Sequence, residues 1–180
     1  MKTIIVALGL AAAVALGAAP IAIDDVAGVY KSRFNNGLID GTTYKSEDVL
    51  EIVKVSPRQA YVRAHLEFYN GHVCDISGVA QLENGALVYR PHENLGKDKC
   101  ELTLQRKGDK IVFGDKNFAC KNMYCGARGS FNDESFPMSS RRSIRYMPRL
   151  LASSQYAAAM REQGLAVPPP KDYKRDRDND

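Results

Sequence analysis

The chain carries none of the short motifs that mark the common catalytic chemistries. HExxH, GxSxG, the phosphate-binding P-loop and GxGxxG are all absent from its 180 residues. It has only three histidines, His65, His72 and His92. No serine, histidine and acid fall at a spacing that suggests a nucleophilic triad, although triads assemble in space rather than along the chain. The expectation is a protein that is not an enzyme and holds no cofactor. Beyond its first residues the chain has no apolar run near the roughly 20 residues a spanning helix needs. It shows no internal repeat of the solenoid type.

What is present begins at the N-terminus. Met1-Lys2-Thr3 precedes an apolar run from Ile4 to Leu16, and the small residues Gly17, Ala18 and Ala19 follow. One positive charge, a short apolar stretch and small residues make up the layout of a secretory signal. Ala15 and Gly17 supply the small side chains that cleavage before Ala18 requires. Residues 1–19 are therefore expected to be a signal peptide. The apolar run does not end in a cysteine, so no lipoprotein signal is expected. The mature protein is expected to be periplasmic or secreted.

Four cysteines follow, Cys74, Cys100, Cys120 and Cys125. An even count behind an export signal reads as two disulfides. The CxxC spacing of a zinc site is missing. Of the three possible connectivities we favour Cys100–Cys120, which flank one expected hairpin, leaving Cys74–Cys125.

The middle of the chain alternates. In Tyr61–Tyr69, Val62, Ala64, Leu66 and Phe68 interleave with Arg63, His65, Glu67 and Tyr69. Period-two alternation puts one row in a core and the other in solvent. His65 and Glu67 thus share a polar row. They are candidates for an acid–base or metal site, though an exposed strand face explains both. Asn70-Gly71 and Asn84-Gly85 are hairpin turn signals. The expected strands are Gly28–Phe34, Val49–Val55, Tyr61–Tyr69, His72–Leu82, Ala86–Arg90, Cys100–Gln105, Ile111–Phe113 and Ala127–Phe131. Gly78, in mid-strand, suits a sharp bend at a barrel corner. About eight short strands joined mostly by hairpins predict an all-β domain over residues 24–137. An up-and-down antiparallel barrel is preferred to a sandwich, because closure removes exposed edges.

The composition changes after Pro137. From Ser139 to Asp180 nine basic residues stand against five acidic ones. Without this tail and Lys2, fifteen basic and sixteen acidic residues remain, so the positive charge belongs to the tail. Residues 138–165 are expected to form a basic linker and a helix over Pro148–Gln163, with Pro at its start and Gly164 at its end. Residues 166–180, with three prolines and a charged end, are expected to be disordered. Arg141, Arg142, Arg145 and Arg149 fall at near-helical spacing with Ile144, Met147 and Leu151 among them. Such a segment can lie on a membrane surface; packing on the barrel is preferred. No nucleic-acid partner is expected.

The stretch Tyr124-Cys125-Gly126-Ala127-Arg128-Gly129-Ser130-Phe131 is the most distinctive. Its glycines allow a turn beside a disulfide, and Arg128 could grip a partner carboxylate. Tyr124, Arg128 and Phe131 are the candidate partner contacts.

NGHVCDISGVAQL, CELTLQRKGDKIVF and CKNMYCGARGSF, between Tyr69 and Phe131, resemble segments of small exported bacterial proteins of unassigned function. They are distantly similar to the β-barrel domains of periplasmic lysozyme inhibitors. Those inhibitors insert a Ser-Gly-x-x-Tyr element into the lysozyme cleft. Here Ser77-Gly78 is followed by Val79-Ala80-Gln81, so the resemblance implies an architecture and not that site. The expected function is an exported non-catalytic module that binds or inhibits an envelope or extracellular protein. The rival is a lipocalin-like carrier, since eight strands leave room for one small ligand; an envelope enzyme is a third class.

Overall fold

The computed structural model describes residues 20–92 and 99–167. The expected signal peptide and most of the expected charged tail lie outside the described residues. The alternating segments form eight strands: β1 (Gly28–Gly37), β2 (Thr43–Ser56), β3 (Gln59–Phe68), β4 (His72–Glu83), β5 (Ala86–Tyr89), β6 (Leu102–Lys107), β7 (Lys110–Asp115) and β8 (Ser135–Pro137). Each pairs antiparallel with the next, in the spatial order β1 to β8. This is the expected up-and-down meander. It closes almost completely: beyond β8, Arg142 exchanges two backbone hydrogen bonds with Val29 at the start of β1, at 2.9 and 2.8 Å.

The turns follow from their residues. Asn84 and Gly85 both take positive φ, 48° and 78°, in the two-residue hairpin between Glu83 and Ala86, the geometry that matches strand twist. Asn70-Gly71 also turns the chain, within a three-residue loop that begins at Tyr69.

Large apolar side chains pack inside the barrel. Tyr30, Leu50, Leu66, Leu87, Leu104 and Phe136 are among its fully buried side chains. Ile21, Ile23 and Val26, from the segment leading into β1, join the same core. This segment includes the one-turn helix α1 (Ile23–Val26) and is tied to the β4–β5 turn by Ile21 N–H to Gly85 O at 2.8 Å.

A second apolar layer lies outside the barrel. Val29, Val53, Tyr61 and Val79 point outward, yet they are buried under Ile144, Leu150, Tyr156 and Met160. The covering residues belong to the C-terminal stretch, which carries α3 (Met147–Leu151) and α4 (Ser154–Glu162). The expected single helix is thus two. Ser153 separates them by capping α4, its Oγ accepting from the Tyr156 N–H at 3.2 Å. The arginine segment is not one helix either. Arg142 is extended in its bridge to Val29, and Arg141 Nη1 donates to the carbonyl of Asp24 at 3.4 Å.

Two further expectations change. Ala127–Phe131 is a turn and not a strand; the last strand is β8. Before it comes α2 (Ala119–Tyr124), which the alternation did not announce. Gly78 does not mark a corner but a close approach: a Cβ there would collide with the Tyr89 ring. Gly78→Ala is expected to destabilise the fold by roughly 1–3 kcal/mol, the range for overpacking. Urea denaturation checks this, and an unchanged midpoint would mean the ring moves aside freely.

Both disulfides pair as expected, Cys74–Cys125 and Cys100–Cys120. Two disulfides suit an oxidising, extracytoplasmic environment. Among the described residues no helix is long and apolar enough to cross a membrane.

Candidate functional site

A groove of about 910 Å³ runs along the outer wall of the barrel and reaches Ala64, Ile76 and Tyr89 of the interior core cluster. Its floor comes from strand register. Glu51, Arg63 and Ser77 align across β2, β3 and β4, and Val49, His65 and Asp75 form the neighbouring row. One wall is C-terminal, with Tyr146, Arg149, Gln155 and Glu162; the other holds Tyr89, Pro91, His92 and Tyr124.

The groove exists because β4 and β5 pair only briefly, over Gln81–Glu83 and Ala86–Val88. Towards its start β4 is flanked instead by the end of α2. Gly126 N–H donates to Val73 O at 2.8 Å, and Cys125 bridges Cys74. Tyr89 then lies over Gly78, with its hydroxyl 3.1 Å from that of Tyr124. Burial and the Tyr124 contact raise the Tyr89 pKa above the ordinary phenol value.

The charges on the floor are paired. The Glu51 side chain is buried. It accepts from Arg63 Nη2 at 2.8 Å, from Arg63 Nε and from the Tyr146 hydroxyl. Arg63 Nη1 reaches Gln155 Oε1 at 3.2 Å. One buried carboxylate therefore joins β2, β3 and the C-terminal segment. Burial, with the bond to Glu51, pushes the Tyr146 hydroxyl up to about 12. From one wall to the other, the His92 N–H donates to Glu162 Oε1 at 2.7 Å. The Arg149 guanidinium lies 5.4 Å from the centre of the Tyr146 ring.

His65 and Glu67, the candidates for acid–base or metal chemistry, do come together, with Asp75 as a third member. His65 Nδ1 is 2.6 Å from Asp75 Oδ1, and Nε2 is 3.5 Å from Glu67 Oε1. Partial burial opposes the charge on His65, but the bonds to Asp75 and Glu67 outweigh it and raise its pKa. His72 is apart from this group, its Nδ1 beside Gly126. Among the described residues no group of three or more His, Cys, Asp or Glu side chains could hold a metal ion.

A raised histidine pKa fixes a sign. The imidazolium gains stability on folding that is fully present below the unfolded value of about 6.5 and is lost as pH rises through the higher folded value. In an NMR titration Asp75→Asn is expected to lower the His65 midpoint and to reduce stability on the acid side. An unmoved midpoint would show that Asp75 does not hold the ring.

The three expected partner contacts are separated. Tyr124 lines the groove. Arg128 is exposed at the end of the barrel, its guanidinium 5.3 Å from the centre of the Tyr69 ring. Phe131 is fully buried and stacked on Phe113 at 6.0 Å, so it is a core residue in this structure. Glu51, Tyr146 and Gln155 are not among the residues that the sequence singles out. The outward valines beside Glu51, Val49 and Val53, were the available signal that this wall is covered.

No protein-family model, curated protein or solved structure matches this chain.

Proposed function

We propose that the chain is an exported, non-catalytic binding module that engages an envelope or extracellular protein, binding or inhibiting it, from the outside of its barrel. The observation that carries this reading is an open groove of about 910 Å³ whose floor and C-terminal wall present charged side chains on the outside of the barrel, among them Glu51, Arg63, His65, Asp75 and Arg149. The large side chains packed inside the barrel, Tyr30, Leu50, Leu66, Leu104 and Phe136 among them, weigh against a lipocalin-like carrier, which needs internal space. The pairing of floor charges supports recognition over catalysis: Glu51 is committed to Arg63 and Tyr146, and His65 to Asp75. The disulfides and the signal layout of residues 1–19 support a periplasmic or secreted location.

The test is a photo-crosslinking amino acid placed at Ser77, on the groove floor, and as a control at Lys110, on the β6–β7 hairpin outside the groove. Expressed in its host envelope, the Ser77 position is expected to trap one discrete protein that Lys110 does not. Equal labelling from both positions would contradict a groove-specific partner.

A further inference from the structure

Four large apolar side chains are exposed among the described residues: Ile39, Tyr69, Phe118 and Met123, at 75, 43, 51 and 38%. The meander puts them on one end of the barrel. In an antiparallel up-and-down sheet the β1–β2, β3–β4 and β7–β8 connections all emerge at the same end. Ile39 is in the first, Tyr69 in the second, and Phe118 and Met123 in the third.

The first two connections are held to each other. The Tyr69 hydroxyl donates to Leu38 O at 2.8 Å, and the Ile39 N–H donates to Asn70 Oδ1 at 3.2 Å. Arg128, from the third, lies over the Tyr69 ring.

Phe118 is the most unusual member. It takes φ 54° directly after Asn117 at φ 57°. A bulky side chain occupies this left-handed region only where its surroundings hold it there. The surroundings here are rigid. The buried Asp115 carboxylate accepts from the N–H groups of Cys120 at 2.9 Å and Lys121 at 2.7 Å. Asn132 clamps the Asp115 backbone from both sides, at 2.6 and 3.0 Å. Cys120 is fixed by its disulfide. Yet the ring so held belongs to neither apolar cluster.

Both exposed rings have a cation beside them: Arg128 at Tyr69, and Lys121 with its Nζ 5.9 Å from the centre of the Phe118 ring. Lys116 is exposed two residues before Phe118. The carboxylate of Asp40, on the β1–β2 loop, accepts from the Thr42 N–H within its own loop.

We infer that this loop end is a protein-docking surface, with Phe118 as its anchor. Its partner presents an apolar pocket bordered by carboxylates. Aromatic anchors with arginine are the residues that dominate protein interfaces, and the flanking cations set the sign of the pocket rim. This inference rests on the reading of the chain as a binding module. It deepens that reading, because α2, about 9 Å long at six residues, runs from Phe118 to Tyr124 in the groove wall. One partner can therefore span both.

The experiment uses the full chain in its host, with p-benzoyl-phenylalanine in place of Phe118, beside the Ser77 position. The expected result is an adduct at 118 whose partner peptide carries Asp or Glu next to apolar residues. An adduct at 77 but none at 118 would overturn the loop-end surface and leave the groove. Silence at both would overturn the binding-module reading as well. A basic partner peptide or a lipid adduct at 118 would overturn the stated partner. A second variant separates anchor from fold. Phe118→Asn places at φ 54° a residue that tolerates it. Its Tm is expected to hold or to rise by roughly 2–4 °C, while co-isolation of the crosslinked partner falls at least tenfold. A fall of several degrees in Tm would make the ring part of the fold and overturn its role as an anchor.

Discussion

Arg63→Met is expected to destabilise the protein by roughly 3–5 kcal/mol, the cost of leaving a buried charge without its partner. The Glu51 side chain is 1% exposed, whereas Arg63 is 32% exposed. Removing the arginine strands the carboxylate beneath the C-terminal segment, with the Tyr146 hydroxyl as its remaining donor among the bonds described. For a chain of this size Tm should fall by roughly 10 °C. The double variant, Glu51→Met with Arg63→Met, removes both charges and should recover most of the loss, because apolar groups of similar volume can replace a buried pair. The opposite order, a mild single variant and a worse double one, would show that solvent already screens the pair. The pair also shapes the groove. Arg63 reaches Gln155 on α4, so the single variant should loosen α3 and α4, seen as faster hydrogen exchange there than in β6 and β7.

Loss of both disulfides is expected to have the larger effect, about 7 kcal/mol. The bridges close loops of 51 and 20 residues, which chain-entropy arguments value at about 4 and about 3 kcal/mol. Domain stabilities are only about 5–15 kcal/mol in total. Refolding under reducing conditions at 37 °C should therefore give a largely unfolded chain, with near-UV circular dichroism lost. Refolding is needed because Cys74, Cys100 and Cys120 are fully buried and a reductant reaches them poorly in the native state. Replacing Cys74 and Cys125 by alanine should cost more than replacing Cys100 and Cys120. That bridge closes the longer loop and pins the end of α2 beside β4, where β5 is missing. A reduced protein that keeps its Tm within a few degrees would contradict the entropic account and weaken the link from disulfides to compartment.

The sequence showed the barrel where alternation was long enough to read. β3 and β4 present ten and twelve residues, and their inward rows identify themselves. β8 has only Phe136 pointing into the core, between Ser135 and Pro137, so no period exists to detect. Ala127–Phe131, expected as the last strand, is instead a turn that delivers Phe131 to the core. α2 was invisible for a related reason. Its first N–H groups are capped by Asp115, several residues upstream and across a left-handed turn, and not by a local capping residue. The groove was legible only in fragments. Arg63 and His65 were visible as a polar row, but the partners that give the row meaning come from β2, β4 and the C-terminal segment. Apolar residues on the outer faces, Val53, Tyr61 and Val79, mark the covered wall. They carry no sign of what covers them.

The central claim is that the protein works from its outer surface. Native mass spectrometry of the chain isolated from its own host envelope tests this most directly. The expected result is a mature chain with both disulfides formed and a second protein bound to it, with no small passenger. A small molecule released when the barrel is denatured would contradict the account and point to carriage. Four free thiols would contradict the oxidising compartment on which it stands.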